Sequence, residues 1–306
     1  MKPFISVIIC AHNPRYDYLN RVFQALKDQT LPTELWELLL IDNASEPPLN
    51  IEFDLSWHPQ AHYIREEKLG LTPARIRGIE EATTEVIVFV DDDNILDNDY
   101  LEVALRISKE YPIIGAWGGQ IRPEFEVQPP EWTKPYWGML ALREFDRDKW
   151  SNLPNQNETT PCGAGLCVLR VVAKKYVELV YKDSKRASLG RKGKLLTSCE
   201  DSDLALTACD MGLGTGQFVS LKLTHLIPTY RLQENYLLQL TKNLKYSGTI
   251  LEFLRGQLPS QQCLSQRLFH YYTRWRMEPR TRRFFNALEA GRILALQEIT
   301  SWSREL

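Results

Sequence analysis

Short apolar runs alternate with stretches of helical periodicity along the first two thirds of the chain. The apolar runs are unbroken on both faces, which is typical of strands buried in a parallel sheet. They cover residues 4–10, 36–41, 85–90, 113–121, 166–169 and 217–223. Helical spacing of apolar residues lies between them, as in residues 16–29. This pattern predicts an α/β domain with a mostly parallel central sheet flanked by helices, whose first β-α-β crossover is right-handed.

The third of these strands runs directly into three consecutive carboxylates, Asp91, Asp92 and Asp93. Open α/β sheets bind ligands at the carboxyl ends of their strands. Three adjacent negative charges repel one another, and a divalent cation carrying a phosphate ligand would relieve that repulsion. The alternative is an acidic loop that caps the next helix, an interpretation we prefer for Asp97 and Asp99. For the triplet itself we expect a metal and phosphate site.

Two predicted helix starts carry charged side chains. Thr72 is a typical N-cap residue and places Arg75 in the first turns of a helix, where a positive charge opposes the helix dipole. A cation at that position indicates an anionic or polar ligand, with a solvated arginine as the alternative. Ser198 is the predicted N-cap of a second helix, whose first turn holds Glu200 and Asp201. Acids there also stabilise the helix dipole, so a purely structural role is a strong alternative.

Residues 122–160 lack regular periodicity and contain five prolines together with Trp132, Trp137 and Trp150. This aromatic content argues against disorder. A long irregular segment in a compact domain is usually functional. We therefore expect a loop that covers the substrate, with plain packing of the aromatic side chains as the alternative.

The bulk composition narrows the classes of partner. Thirty-seven basic and 39 acidic residues give a net charge of −2, so the chain has no general attraction for nucleic acid or an acidic membrane. The six cysteines show no CxxC pair or zinc-ligand spacing, and we expect reduced thiols in a cytoplasmic protein. The first residues read as a strand and not as a signal peptide. No run of about 18 apolar residues predicts a transmembrane helix.

The last part of the chain has a different character. Leucines at helical spacing predict a helical C-terminal extension, so we divide the chain into a domain at 1–231 and an extension at 232–306. Residues 267–283 contain six Arg and one Glu interleaved with four aromatic residues. Such a stretch suits peripheral contact with the anionic inner face of a membrane or with a partner. A solvated helical face explains it equally well.

Taken in order, the motifs resemble those of the family 2 nucleotide-sugar glycosyltransferases of the GT-A fold. The resemblance covers about residues 4–231 and depends on the ordered set, since no single motif is decisive. The matching segments are Val7–Asn13, Ile41–Ser45, Pro73–Gly78, Asp91–Asn94, Glu200–Asp201 and His225–Pro228. The resemblance implies a GT-A architecture with a single Rossmann-like sheet.

The resemblance also implies how a nucleotide-sugar donor would be held. Three residues at the end of the first strand would line the base pocket: Cys10, Ala11 and His12. Asp42 would accept a hydrogen bond from the base, and Arg75 would contact it. Asp92 would contact the ribose.

The implied metal and catalytic residues follow from the same likeness. Asp93 would bind the Mn²⁺ or Mg²⁺ that bridges the diphosphate, with Asp91 in the same DxD signature. His225 would complete the metal or diphosphate site. Arg231 would pair with phosphate, because an arginine can contact phosphate bidentately. Asp201 would be the catalytic base.

The implied reaction is a metal-dependent, inverting transfer of a sugar to an acceptor hydroxyl, in polysaccharide or glycoconjugate synthesis. UDP is favoured by family habit, and the acceptor would be a saccharide or a lipid-linked one. Asp201 would remove the hydroxyl proton, with Asp203 as its nearest competitor. The frequent Gln-x-x-Arg-Trp motif is absent, which argues against a processive, membrane-embedded synthase. Asn43-Ala44-Ser45 replaces the usual acidic-Gly-Ser turn.

Two other functions fit parts of the pattern. A metal-dependent nucleotidyltransferase would need a glycine-rich phosphate loop near the N-terminus, and the turn at residues 11–15 has no glycine. A non-catalytic nucleotide-sugar binder of the same fold would keep Asp93 and lose the base. The Glu200–Asp201 pair is present, which disfavours that alternative.

Overall fold

The computed structural model describes residues 3–154, 156, 158–191, 196–257, 272 and 274–302. Its strands are β1 (Ile5–Ala11), β2 (Trp36–Asp42), β3 (Ala61–Arg65), β4 (Val86–Val90), β5 (Asn94–Leu96), β6 (Ile114–Phe125), β7 (Lys149–Ser151), β8 (Cys167–Leu169) and β9 (Gly214–Ile227). The main α-helices are α1 (Tyr16–Lys27), α2 (Leu71–Glu81), α3 (Tyr100–Glu110), α4 (Arg170–Lys182), α5 (Glu200–Asp210), α6 (Glu234–Leu254) and α7 (Pro279–Trp302).

Within the described residues, the nine strands form one sheet in the order β3-β2-β1-β4-β8-β6-β9-β5, with β7 paired to β9. The first four of these strands are parallel, and so are β6 and β9. The short strands β5, β7 and β8 pair antiparallel to their neighbours. The four parallel pairs join the longer strands, whereas each of the four antiparallel pairs involves a strand of three residues, so the predicted α/β class with a mostly parallel sheet is confirmed.

The sheet is covered on both faces, which explains the unbroken apolar runs. In β1, Val7 and Ile9 contribute to one core layer with α1 and α3, whereas Ile8 belongs to the opposite layer with α2, α4 and α5. Alternate side chains of a strand point to opposite faces, so both sets must be apolar.

The strand register brings distant polar residues to one edge of the sheet. Ala11 lies opposite Asp42 in the parallel β1–β2 pair, and β4 pairs with β1 on its other side. The antiparallel β5–β9 pair places Asn94 opposite His225. The acidic triplet therefore lies between a turn near the N-terminus and the end of β9.

The structure corrects both predicted helix starts. Gly70, with φ of 140°, is the N-cap of α2, and Thr72 lies inside the helix with no side-chain capping bond. Cys199, with φ of 89°, takes the place predicted for Ser198 at α5. In both cases a left-handed backbone turns the chain into the helix, and this geometry replaces capping by a hydroxyl.

The two aspartates predicted to cap the helix after the triplet also behave differently. Asp99 occupies the N-cap position of α3 but makes no side-chain capping bond. The Asp97 carboxylate instead pairs with Arg122. The short strand β5, which precedes them, was not predicted.

In the segment at 122–160, packing of aromatic side chains is observed for Tyr136 and Trp137, and the loop that covers the substrate stays a prediction. Its central 3-10 helix, Glu131–Leu140, packs on the C-terminal extension, where Tyr136 stacks on Phe284 with ring centroids 3.8 Å apart. Trp137 packs against Phe125 at 4.9 Å. The aromatic side chains therefore serve packing, while the residues that follow them reach the cavity described below.

The predicted helical extension is present as α6 and α7, which pack together. Gly291 allows their close approach, since a Cβ there would lie 2.1 Å from the carbonyl oxygen of Lys242. Of the basic stretch at 267–283, residues 267–271 and 273 lie outside the described residues. Arg280 and Arg283 pair with Glu234. No helix in the described ranges is long and apolar enough to span a bilayer.

Candidate active site

A cavity of about 410 Å³ opens at the carboxyl edge of the sheet, between the turn after β1, the start of α5 and the end of β9. This volume is within the range of small-molecule sites, roughly 300–1,000 Å³. Ten of the eleven predicted site residues line it: Cys10, Ala11, His12, Arg75, Asp91, Asp92, Asp93, Asp201, His225 and Arg231. The fold therefore gathers into one cavity residues that are more than 200 positions apart in the sequence.

Asp42 is the exception. Its fully buried carboxylate accepts hydrogen bonds from the backbone N–H groups of Ser45 and Leu49, from the Tyr63 hydroxyl and from Arg65. These donors hold the turn after β2, and Asp42 does not line the cavity. The geometry does not support the direct base contact predicted for it.

Asn43, the next residue, lines the cavity in its place. Its side-chain amide donates to the carbonyl groups of Glu66 and Lys68, and its side-chain oxygen accepts from Gly70 N–H. Its backbone carbonyl accepts from His12 Nδ1 at 2.7 Å. Asn43 thus holds two chain segments in place beside the cavity: residues 66–70 and the turn that carries His12. The polar turn after β2 was the sequence signal that indicated it.

The acidic triplet carries unequal charges. Burial, together with the neighbouring charges of Asp93 and Asp91, raises the pKa of Asp92 to about 7 against the attraction of Arg231. Burial also acts to raise the pKa of Asp93, but His225 and Arg231 outweigh it and hold that pKa well below the usual range. Of Asp92 and Asp93, it is therefore Asp93 that keeps its negative charge most firmly.

Asp93, His225 and Arg231 form a compact cluster. Arg231 donates to Asp93 Oδ2 at 2.9 Å and to His225 Nε2 at 3.0 Å. His225 Nδ1 is 3.0 Å from the carbonyl oxygen of Leu140, which can only accept. In the tautomer with its proton on Nδ1, His225 accepts from Arg231 at Nε2, because a guanidinium can only donate. His225 Nε2 is also 3.3 Å from Asp93 Oδ2.

The chemistry of this cluster fits a divalent cation. A carboxylate oxygen and an imidazole nitrogen are both ordinary ligands of Mn²⁺, and they converge here within 3.3 Å. Among the residues that the structure describes, no group of three or more His, Cys, Asp or Glu side chains could hold a metal by itself. One or two protein ligands suffice when phosphate oxygens complete the coordination shell.

Arg75 bridges the triplet and the start of α5. It is 3% exposed, and it contacts Glu200 at 3.1 Å and Asp91 at 3.5 Å. Burial and the charge of Asp201 raise the pKa of Glu200 to about 7, against the attraction of Arg75. One Glu200 oxygen, Oε2, has no hydrogen-bond partner among the described atoms. Arg75 is thus an internal counter-charge between the acidic triplet and the start of α5.

Asp201 is oriented by backbone donors. Its Oδ2 accepts from Gly163 N–H at 2.6 Å, and its Oδ1 accepts from Ser202 N–H at 2.7 Å. A Cβ on Gly163 would lie 2.6 Å from Arg75 Nη2 and 3.2 Å from Asp201 Oδ2. Sequence reasoning missed Gly163 as a site residue, although the Cys162-Gly163-Ala164-Gly165 run preceding β8 marks a close backbone approach.

Asp203, the rival for the role of base, is excluded by its surroundings. It is fully buried, pairs with Arg186 at 2.6 Å and with Arg255 at 2.9 Å, and does not line the cavity.

Other lining residues were not predicted from the sequence. Two of them are arginines, Arg143 and Arg191, and the apolar wall comes from Met139, Leu140, Tyr236, Leu240 and Leu244. The last three belong to α6, so the C-terminal extension contributes directly to the site.

Comparison with known proteins agrees with this geometry. The family model described as glycosyl transferase family 2 matches residues 6–173, more than half of the chain. N-acetylgalactosaminyltransferase 7 of Drosophila melanogaster is 32% identical over 156 residues, which are 45% of this chain and 26% of that protein. The glucosyl-dolichyl phosphate glucuronosyltransferase of Haloferax volcanii is 25% identical over 138 residues, 44% of each chain. The matched regions span less than half the length of either relative.

Solved structures show the same fold. S. aureus TarS 1-349 in complex with UDP aligns with a TM-score of 0.54 at 14% identity, covering 94% of this chain and 80% of that one. The complex of the same protein with UDP-GlcNAc aligns with a TM-score of 0.54 at 13% identity over the same shares. At this identity the likeness concerns the fold alone, and it confirms the predicted GT-A architecture with its helical C-terminal region.

Proposed function

Because the chain belongs to glycosyl transferase family 2, as its motifs predicted, we propose that it transfers a sugar from a nucleoside diphosphate sugar to an acceptor hydroxyl. The observation that carries this proposal is the single cavity shared by the turn after β1, the acidic triplet and Asp201. A donor needs a site for its nucleotide, compensation for its diphosphate and a base near its anomeric carbon. The cavity offers all three within one space of small-molecule size.

The nucleotide would lie at the end of the cavity formed by Cys10, Ala11, His12 and Asn43. UDP is the proposed nucleotide, since the TarS structures of the same fold hold UDP and UDP-GlcNAc. The diphosphate would follow toward Asp93, His225 and Arg231. Arg231 can contact phosphate oxygens bidentately.

We assign the base role to Asp201. Two backbone N–H groups orient its carboxylate and leave further lone pairs for an acceptor hydroxyl. The hydroxyl oxygen forms a bond to the anomeric carbon as the bond to the diphosphate oxygen breaks. The leaving nucleoside diphosphate takes that electron pair, and Asp201 takes the hydroxyl proton. Attack from the face opposite the leaving group inverts the anomeric configuration.

Asp93 and His225 are the residues that would hold a divalent cation. Asp93 is the second aspartate of the DxD signature, and His225 comes from the end of β9. A bound Mn²⁺ or Mg²⁺ would neutralise the charge of the leaving diphosphate. The acceptor would enter on the side of Asp201, next to the apolar wall from α6. A saccharide or lipid-linked acceptor in polysaccharide or glycoconjugate synthesis fits that wall.

The proposal is tested by thermal unfolding with UDP, GDP, CDP and their common sugar conjugates, each with and without Mn²⁺. A ligand that binds only the folded protein raises its unfolding temperature. We expect UDP and at least one UDP-sugar to do so, with slow hydrolysis of that sugar in the absence of acceptor. A folded protein stabilised by no nucleoside diphosphate would contradict the proposal. Binding without hydrolysis or transfer would favour the non-catalytic binder.

A further inference from the structure

The cluster of Asp93, His225 and Arg231 has a feature that the proposed reaction does not require. Arg231 lies on the short 3-10 helix Thr229–Leu232, which joins β9 to α6. Its guanidinium contacts both atoms that would ligate a cation: Asp93 Oδ2 at 2.9 Å and His225 Nε2 at 3.0 Å. Each of the three side chains is mostly buried, with Asp93 and His225 less than a tenth exposed.

The two ligand atoms are therefore already engaged by a positive charge. The carbonyl of Leu140 faces Nδ1 of His225 at 3.0 Å and can only accept, so Nε2 is the ring nitrogen that meets Arg231, also at 3.0 Å. A cation at Asp93 and His225 would need the lone pair of Nε2. It would also lie within a few ångströms of the guanidinium charge in a largely buried space, where like charges repel strongly.

We infer that Arg231 is an internal cation that guards the metal ligands, and that the donor diphosphate draws it away, so that divalent cation and nucleotide bind with positive linkage. The inference rests on the proposed function, since it concerns the same site. A diphosphate offers Arg231 two or more anionic oxygens in exchange for one carboxylate and one imidazole. Once Arg231 contacts phosphate, Asp93 and His225 regain their lone pairs. By reciprocity, the cation then raises the affinity for nucleotide by the same factor.

The structure also gives Arg231 the means to change partners. Its Nε has no hydrogen-bond partner among the described atoms, so only the terminal nitrogens hold it. The 3-10 helix that carries it is four residues long and lies between a proline, Pro228, and the first turn of α6. Arg231 also lines the cavity, so a diphosphate bound there lies next to its guanidinium.

The decisive experiment measures Mn²⁺ binding to the full chain without nucleotide, from the electron paramagnetic resonance signal of free Mn²⁺. We expect weak binding by the unmodified protein and binding about tenfold tighter by Arg231→Gln, because the competing charge is gone. Arg231→Lys keeps the charge and should bind Mn²⁺ as weakly as the unmodified protein. The double variant Arg231→Gln/Asp93→Asn should lose the gain, which assigns the new binding to Asp93.

A matched control is available in Arg122, which pairs with Asp97 outside the cavity. Arg122→Gln also removes one arginine from one aspartate, and it should leave Mn²⁺ binding unchanged. If Arg231→Gln is too unstable for the titration, its thermal unfolding is measured with and without Mn²⁺. Mn²⁺ alone should then raise the unfolding temperature of that variant clearly more than that of the unmodified protein.

UDP provides the second arm. In the unmodified protein, UDP should tighten Mn²⁺ binding about tenfold. UDP also binds Mn²⁺ in solution, and the same titration with Asp93→Asn protein measures that contribution so that it can be subtracted. In Arg231→Gln this tightening should be smaller, because only the contribution of phosphate oxygens as ligands of the cation remains. The inference is overturned if the unmodified protein binds Mn²⁺ equally well with and without UDP, or if Arg231→Gln gains no affinity for Mn²⁺. Failure of every nucleoside diphosphate to bind the unmodified protein would instead contradict the proposed function.

Discussion

Two buried aspartates in this molecule are each held by two nitrogen-bearing side chains, and they have opposite surroundings. Asp203 pairs with Arg186 and Arg255, and its carboxylate is fully closed off from the cavity. Asp93 pairs with Arg231 and contacts His225, and it faces the cavity. The residue types are nearly the same, but only the second cluster lies where a ligand in the cavity can reach it.

The difference lies in the local balance of charge. Around Asp203 two permanent cations surround one carboxylate. Five carboxylates line the cavity: Asp91, Asp92, Asp93, Glu200 and Asp201. Four arginines line it with them: Arg75, Arg143, Arg191 and Arg231. Burial raises the pKa values of Asp92 and Glu200, and the neighbouring carboxylates add to this increase, which reflects the cost of crowding these acids together. A cation or a substrate hydroxyl would relieve it, which is why we place function in this cluster and structure in the other.

The largest expected effect separates Asp201 from Asp203. Asp201→Asn should lower sugar transfer by roughly 10²–10⁴-fold, the usual contribution of a positioned general base. UDP affinity should change little, because Asp201 lies at the acceptor end of the cavity. Initial rates with a UDP-sugar donor, compared with calorimetric UDP binding, measure both quantities. Full transfer activity in a folded Asp201→Asn protein would remove this residue from the mechanism.

The second prediction concerns the closed cluster. Asp203→Asn should lower the free energy of unfolding by about 3–5 kcal/mol, since it leaves the buried Arg186 without its carboxylate partner and Arg255 with Asp210 alone. The transfer rate per folded molecule should stay close to that of the unmodified protein. Urea unfolding followed by circular dichroism measures the first quantity. A variant that remains fully stable but loses transfer would reverse the roles given to the two aspartates.

The sequence could not separate these two residues. Asp201 and Asp203 both fall in the first turn of α5, two residues apart, so the helix places them about 200° apart around its axis. Which side faces the cavity depends on Arg186 and Arg255, which are 17 and 52 residues away along the chain. Periodicity indicates an element and its apolar face, but it does not show which distant arginines meet its polar side.

The strands could be predicted because their signal is local to each strand. β1, β2 and β4 are buried on both faces, so their unbroken apolar runs indicate both their type and their position in the sheet. The helix starts were predicted less well, because Gly70 and Cys199 enter their helices through left-handed backbone and not through side-chain caps. Asp42 does not line the cavity, and the local motif could not show this because two of its donors, Tyr63 and Arg65, come from the neighbouring strand.

The third prediction tests how tightly the catalytic side of the cavity is packed. Gly163→Ala would place a Cβ 2.6 Å from Arg75 Nη2 and 3.2 Å from Asp201 Oδ2, so both side chains must shift. We expect a loss of about tenfold in transfer rate, since small displacements of a base have large effects. Gly138 is the matched control, because it also lines the cavity and a Cβ there meets no atom within 4 Å. Equal effects of Gly163→Ala and Gly138→Ala would contradict this account of Asp201.

The smallest expected effect is a pH dependence that belongs to the cavity and not to the closed cluster. Burial raises the pKa of Glu200 from its ordinary value of 4.5 to about 7, so the folded protein binds this proton more tightly than the unfolded chain. The stabilisation from the bound proton is present below about pH 4.5 and is lost as pH rises to about 7. In Glu200→Gln this loss should be absent, so the fall in unfolding free energy between pH 5 and pH 8 should be smaller by on the order of 1 kcal/mol. Asp92 contributes a fall in the same direction to both proteins, and its contribution cancels in the difference.

Urea unfolding at a series of pH values gives the two curves. Parallel curves would mean that Arg75 keeps Glu200 ionised throughout, and that the cavity has no more unbalanced charge at its catalytic end than the cluster around Asp203 has.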